Sequence, residues 1–456
     1  MLLSSTVLTA VAFSATFVAA FPLAQMEKIM AAAADLEKRG SIKDPKARRA
    51  LSEINKRGFL TKDALGDIPT SLSELLQTLD LPSPQPIGLP QVPDDDHPFI
   101  APGPTDIRGL CPTLNTMGEL SFYFVSTFER TADEETFAAN HGYIGRDGVT
   151  TFAEAANACQ IAFGFAFDIC TGLAALGLLA GGDIVSGKMT IAGPDSRVPN
   201  TLGQNQGIAV HGPFEIDGSI TRADTYFGNN IAYQPDRFDA WYALANETSD
   251  GMFDTDTMSA NQLASYNISK STNPAANLGI KYFAVSYAER VFIPAALPNG
   301  TNQGVADFAN IAPFFQDSKF PKNWFRRDNA YTAMQVGEDI LAMYAKAPVA
   351  LGANEGMGNF VSLENADIPT SSPQALMCFF VTELFDALPG SLAAEVAANQ
   401  ALYNMFVNTV FSPIFGPGSE FDCDLGALYL PLCSQGDSAD SALWKSGIYG
   451  NGTLRA

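Results

Sequence analysis

The chain has 456 residues, 46% of them apolar and only 17% charged, enough for one large core or two ordinary ones. Its 27 basic residues face 49 acidic ones, a formal net charge of -22, which argues against nucleic acid or an anionic membrane as partner. Phe outnumbers Trp by 32 to 3, so the interior should be rich in phenyl rings.

In chain order, Leu2 to Ala20 is uncharged, apolar and small, and closes on Val18-Ala19-Ala20. Residues 1–20 read as a secretory signal cleaved after Ala20, which makes the protein secreted. Residues 21–57 differ from the rest: they hold nine Lys/Arg and five Asp/Glu, whereas the 399 residues that follow hold 18 and 44. Two dibasic pairs, Lys38-Arg39 and Lys56-Arg57, are each followed by Gly, as suits a kexin-like processing protease. This stretch reads as a propeptide. Residues 58–104 form a lead-in, Pro-rich from 81 onward, with the acidic run Asp94-Asp95-Asp96. It is expected to be extended rather than helical. Four N-x-S/T sequons, at Asn246, Asn267, Asn299 and Asn451, are consistent with a secreted glycoprotein.

Beyond the lead-in, helical periodicity dominates. Leu114 to Phe128, Phe152 to Leu179, Asp328 to Ala345, Ala375 to Leu388 and Ser391 to Val410 all repeat apolar residues at three- and four-residue intervals. Alternating strands are scarce, and loops rich in Gly, Pro, Asn and Asp separate the helices. The fold class is all-α: one large helical domain with long loops over 105–456, including a C-terminal extension past about residue 445. The stretch Ile161 to Gly182 approaches a membrane span in length, but Asp168, Thr171 and several glycines interrupt it. It is expected to be a buried core helix, with no stable membrane insertion.

The six cysteines sit in different settings. Cys159 and Cys170 lie in an apolar helical segment and should pack as small hydrophobes. Near the C-terminus, Cys378 with Cys423 is the first choice for a disulfide and Cys423 with Cys433 the second. Cys111 stands apart and is free for another task. It precedes Pro112 and an apolar-periodic run, so Pro112 would take the first helical position and Cys111 the N-cap. Unpaired amides and the positive end of the helix would then face the sulfur and favour thiolate. A capping or disulfide-bonded cysteine is the structural alternative.

The segment Leu110-Cys111-Pro112-Thr113-Leu114-Asn115-Thr116 resembles the haem-ligand motif of the fungal haem-thiolate peroxidases, the family of chloroperoxidase and the unspecific peroxygenases. Their Pro-Cys-Pro here lacks the first proline. Asn140-His141-Gly142-Tyr143-Ile144-Gly145-Arg146-Asp147-Gly148 is similar to a second family element, and the likeness runs on to about residue 330, closer to the long peroxygenase type. The resemblance implies haem b with Cys111 as the axial ligand of the iron. It also implies hydrogen peroxide as oxidant and an apolar or aromatic small molecule as substrate; the phenylalanine-rich composition leans away from halide.

Two further sites follow from the resemblance. The segment His211-Gly212-Pro213-Phe214-Glu215-Ile216-Asp217-Gly218-Ser219 is similar to the family's divalent-ion motif. It implies Mg²⁺ beside a haem propionate, held by Glu215, the backbone carbonyl of Ile216, and Ser219. The residue-level alternative is a helix start capped by Asp217 or Ser219. Ser286-Tyr287-Ala288-Glu289 is similar to the stretch carrying the family's acid–base glutamate, which implies Glu289 as general base and then acid. An apolar pocket would raise its pKa. Long members place an Arg seven residues earlier and short ones use a His after the metal-binding Glu; here those positions are Tyr282 and Ile216. Lys281 and Arg290 flank the region but lie roughly 80° and 100° from Glu289 on an ideal helix. The three histidines are expected to be structural, with His97 exposed. The resulting expectation is a peroxide-dependent oxidoreductase; the alternative is a secreted haem-binding protein with little turnover.

Overall fold

A computed structural model describes residues 80–119, 141–184, 186–200, 207–209, 211, 215–300, 305–363, 368–386 and 406–425. The expected signal, propeptide, Cys433 and Asn451 lie outside the described residues, as do 120–128 and 391–405 of the expected helices. Within the described residues, helices carry the fold. They are α1 (Pro112–Met117), α2 (Phe152–Phe163), α3 (Phe167–Gly181), α4 (Pro235–Ser249), α5 (Thr255–Thr272), α6 (Ile280–Ala296), α7 (Phe308–Gln316), α8 (Ala333–Lys346), α9 (Pro373–Asp386) and α10 (Ser412–Phe415). Strands are two or three residues long: β1 (Gly118–Glu119) pairs with β2 (Ile144–Gly145), and β3 (Val149–Thr151) pairs with β4 (Lys188–Thr190). A three-stranded patch comprises β5 (Asn277–Leu278), β6 (Gly352–Asn354) and β7 (Phe360–Ser362). None of the helices described is long and apolar enough to cross a membrane.

Local chemistry explains where the helices start. Thr151 and Glu154 form a reciprocal capping box on α2, and Thr332 and Gln335 form another on α8. Asp254 and Asp307 accept backbone N–H groups at the starts of α5 and α7.

The continuous helix expected from Phe152 to Leu179 is two helices. Gly164 adopts a left-handed conformation (φ 68°) that ends α2, and α3 turns back against it. The apolar period continues across the break because both helices bury most of their surface. This turn also corrects the reading of Cys159 and Cys170. They are not independent hydrophobes: the antiparallel return brings their Cα atoms to 5.7 Å and they form a disulfide. Cys378 pairs with Cys423, as first expected.

Helix α6 lies at the centre, packed against α5, α8 and α9. The phenylalanines cluster in tilted and edge-on contacts. Phe163, Phe314, Phe320 and Trp324 have ring centroids 5.2 to 6.1 Å apart, and Trp241 meets Phe253 at 4.5 Å. Each buried ring contributes roughly 1.5–3 kcal/mol by leaving water, and edge-to-face pairs add about 0.5–1.5 kcal/mol.

The lead-in is extended, as expected, and laced onto α2. Ser83 N–H donates to Asn157 at 3.1 Å and Gln85 N–H to Gln160 at 3.0 Å. The Arg326 guanidinium, 5% exposed, donates to the carbonyls of Pro86, Gly88, Gln160 and Ile161. His97 is half-buried rather than exposed: it stacks on Tyr143 with centroids 3.9 Å apart. Among the sequons, Asn246 and Asn267 are exposed and Asn299 is half-buried.

Candidate active site

The loop that carries Cys111 is held by a glycine and an asparagine. Gly109 lies so close to the next segment that a Cβ there would come within 1.7 Å of the Ile191 carbonyl oxygen. Asn115, one turn into α1, is 5% exposed. It donates its amide to Gly109 O and accepts from Gly109 N–H, both at 2.9 Å. Cys111 is thereby fixed immediately before Pro112, the first residue of α1. Its sulfur lies 3.1 Å from the Thr113 hydroxyl, and the backbone amides of Thr113 and Leu114 also bond to it. Among the described residues Cys111 is the one free cysteine, so the disulfide alternative falls.

The expected balance at the thiol is reversed, however. Burial pushes the Cys111 thiol up, and the hydrogen bonds from Thr113 and Leu114 offset only part of that. The negative charge of Glu289 pushes in the same direction as burial. A short helix end supplies too little positive charge to ionise a buried sulfur by itself.

Glu289, on α6, behaves as expected. Burial raises its carboxyl to about 7; Glu215 pushes it higher, while Arg290 and then Arg222 pull it down. Cys111 and Glu289 are each half-buried, desolvation dominates at both, and the charge of Glu289 acts on the Cys111 thiol. Arg222 acts on both. It is 4% exposed and interacts electrostatically with Cys111 first, then Tyr233 and Glu289. Its Nη1 donates to the Thr221 hydroxyl at 3.0 Å, and its buried Nε has no partner.

The expected ion-binding loop carries Glu215, whose charge acts on Glu289. No helix starts at Asp217 or Ser219; the next helical turn is Thr225–Phe227, preceded by Asp224, so the capping alternative falls. Glu215 is 2% exposed. One oxygen bonds His211 and accepts from the Thr225 hydroxyl at 3.1 Å, while Oε1 is buried without a partner. Asp217 is likewise buried with Oδ1 unpartnered, and burial raises its carboxyl to about 7. Two orphaned carboxylate oxygens are a hard, oxygen-rich setting that fits a divalent cation. The Ile216 side chain, larger than its counterparts in the resemblance, is housed in the core at 5% exposure. Ser219 is half-buried and its carbonyl accepts from Arg237 at 3.2 Å. Gly218 holds a left-handed conformation (φ 72°), and a Cβ there would meet the Tyr282 ring at 3.0 Å.

The structure thus brings Cys111, Glu215 and Glu289 to one neighbourhood from three separate segments. His141 is structural, as expected: its ring bonds His97 O and Phe320 N–H, and burial lowers its pKa to about 4. Tyr282 does not serve Glu289; its hydroxyl accepts from Gln262 at 3.1 Å. Asn115, Arg222 and Arg290 carry no role in the sequence reading. Asn115 stands within the Cys111 motif segment, which was its one signal.

A model of peroxidase family 2 matches residues 137–329. This segment contains Glu215, Ile216, Ser219 and Glu289 and begins after Cys111. An aromatic peroxygenase of Coprinellus radians is 28% identical over 54% of this chain and 89% of its own length. Over residues 137–329 the chain is similar to peroxidase family 2. It is a peroxide-dependent oxidoreductase. An aromatic peroxygenase of Cyclocybe aegerita is 27% identical over 66% of this chain and 74% of its own. A dothistromin biosynthesis peroxidase of Dothistroma septosporum is 28% identical over 60% and 66%.

Proposed function

We propose that this protein oxidises or oxygenates an apolar or aromatic small molecule at a haem b whose iron is bound by the Cys111 thiolate. The observation that carries the reading is a free Cys111 at the start of α1 on whose thiol the Glu289 carboxylate acts, in a chain similar to peroxide-using enzymes over residues 137–329. When bound, the haem supplies the redox-active iron, and a thiolate ligand on it favours cleavage of the peroxide O–O bond. Every other part of the chemistry falls to the chain.

Cys111 is delivered as a ligand at a fixed place by the Asn115 staple, and the Thr113 and Leu114 amides bond its sulfur. Its raised pKa in the protein alone means that Cys111 would become thiolate on ligating a metal cation, whose charge favours the deprotonated sulfur. Glu289, with a carboxyl near 7, removes the proton from one peroxide oxygen and returns it to the other, which leaves as water. A carboxyl near neutrality is poised for both halves of that transfer. The phenylalanine-rich interior gives an apolar substrate a surface to lie against and keeps bulk water away.

Glu215, the Ile216 carbonyl and Ser219 would hold Mg²⁺, with the orphaned Glu215 Oε1 supplying the charged ligand oxygen. Residues 1–20 and 21–57 act as signal and propeptide, so the mature domain is secreted. The Coprinellus and Cyclocybe relatives are named aromatic peroxygenases, which supports an aromatic substrate here.

The test is the absorption spectrum, ferric and then reduced under carbon monoxide, for the wild type and Cys111→Ala. A strongly red-shifted carbonyl band that the substitution abolishes supports the assignment. A colourless wild type, or a band indifferent to the substitution, overturns it.

A further inference from the structure

The loop from Glu215 to Ser219 keeps two buried carboxylate oxygens without a partner, Glu215 Oε1 and Asp217 Oδ1. A buried acceptor left unsatisfied is unfavourable, so something must stop the loop from rearranging to satisfy them. The loop is held at three consecutive residues by groups from elsewhere in the chain. Asp217 Oδ2 accepts from the Asn277 N–H at 2.9 Å. The Gly218 N–H donates to Asp224 Oδ1 at 3.0 Å, and Gly218 O accepts from Arg290 Nη2 at 3.1 Å. Ser219 O accepts from Arg237 Nη1 at 3.2 Å.

Gly218 is the centre of this grip. Its N–H and C=O are taken by two buried charged side chains, Asp224 at 1% exposure and Arg290 at 0%. Each is anchored in turn. Arg290 Nε donates to Asn261 Oδ1 at 3.1 Å and Nη1 to Ser286 O at 3.0 Å. All three acceptors of the guanidinium are neutral, so its planar fork serves as a joint between α5, α6 and the loop. Asp224 Oδ2 accepts from Asn273 Nδ2 at 3.0 Å, and Asp224 Oδ1 lies 3.9 Å from Arg237 Nη2. The glycine itself is left-handed (φ 72°), and a Cβ there would meet the Tyr282 ring at 3.0 Å and Ser269 Oγ at 3.6 Å. Tyr282 is fixed in its turn by Gln262, which donates to its hydroxyl at 3.1 Å.

We propose that Arg290 and Asp224 are positioning residues that hold the 215–219 loop preformed for its cation, gripping Gly218 by its C=O and its N–H. The ligand oxygens then need no rearrangement to meet the ion, and the entropy of ordering the loop is lost on folding rather than on binding. Arg290 directly follows Glu289 on α6, so the same grip ties the ion loop to the helix that carries the acid–base carboxyl. This inference rests on the reading of 215–219 as an ion loop and names the residues that shape it.

The test titrates Mg²⁺ by calorimetry into the holoprotein, first freed of divalent ions with EDTA, for the wild type and Arg290→Gln. Loss of the hold on Gly218 O is expected to weaken binding by about 10–100-fold, the range for groups that orient metal ligands. A purely structural role would lower the unfolding midpoint and leave the affinity of the folded variant unchanged, and that result overturns the inference. Hydrogen exchange at Gly218 in the ion-free wild type gives a second reading that needs no variant to fold. The Gly218 amide should be protected before Mg²⁺ is added. An amide that exchanges freely until the ion arrives means that the ion organises the loop, and this too overturns the inference. If the wild type takes up no Mg²⁺, or Glu215→Gln binds it as tightly, the reading of the loop as an ion site has itself failed.

Discussion

Replacing Glu289 by Gln should stabilise the haem-free protein at neutral pH, although the residue sits at the heart of the site. The folded protein raises this carboxyl from its ordinary 4.5 to about 7, chiefly by burial. The folded state therefore binds the proton more tightly than the unfolded chain does. Its contribution to stability is complete below pH 4.5 and is lost as pH climbs through 7. At about 1.36 kcal/mol per unit, that gap sets an upper limit of about 3 kcal/mol. Gln carries no charge to desolvate, so the two proteins should match near pH 4 and separate progressively up to pH 8, with the variant ahead. Urea unfolding of both at half-unit pH steps would measure the difference. A variant no more stable than wild type at pH 8, or equally more stable at every pH, would refute the reasoning. Asp217, raised to about 7 by the same cause, should leave a residual slope of the same sign in both proteins.

Asn115→Ala should cost about 2–5 kcal/mol, because it strands both the N–H and the C=O of buried Gly109; urea unfolding measures the loss, and the rate of Cys111 alkylation should rise with it. Removing the Cys159–Cys170 disulfide as a double Ala variant should cost about 3 kcal/mol, and removing Cys378–Cys423 about 4 kcal/mol, since the second closes the longer loop; denaturant titration under oxidising conditions tests the order. Glu215→Gln should abolish high-affinity Mg²⁺ binding measured by calorimetry, because the unpartnered Oε1 supplies the charge at that site.

The helical class, the isolation of Cys111 and the raised pKa of Glu289 were all legible before any coordinates, because each depends on local pattern or on a short motif. The break at Gly164 was not. One left-handed residue reverses the chain without disturbing the apolar period, and the Cys159–Cys170 bond depends on that reversal. The end point of the Arg290 side chain was hidden for a related reason. A helical wheel places Cα atoms, whereas a four-bond side chain can travel a full turn and end against Gly218, 72 residues away in sequence. The orphaned oxygens of Glu215 and Asp217 are likewise products of tertiary burial that no spacing announces.

The lacing of the lead-in has a practical corollary for trimming or tagging the N-terminus. Trimming as far as residue 80 removes none of the anchoring bonds at Ser83 and Gln85, so an affinity tag placed there should be harmless. Trimming past Gly88 strips Arg326 of two of its four carbonyl acceptors and leaves a buried cation half-solvated beside α2. The boundary between a soluble recombinant product and an aggregating one should fall within those few residues.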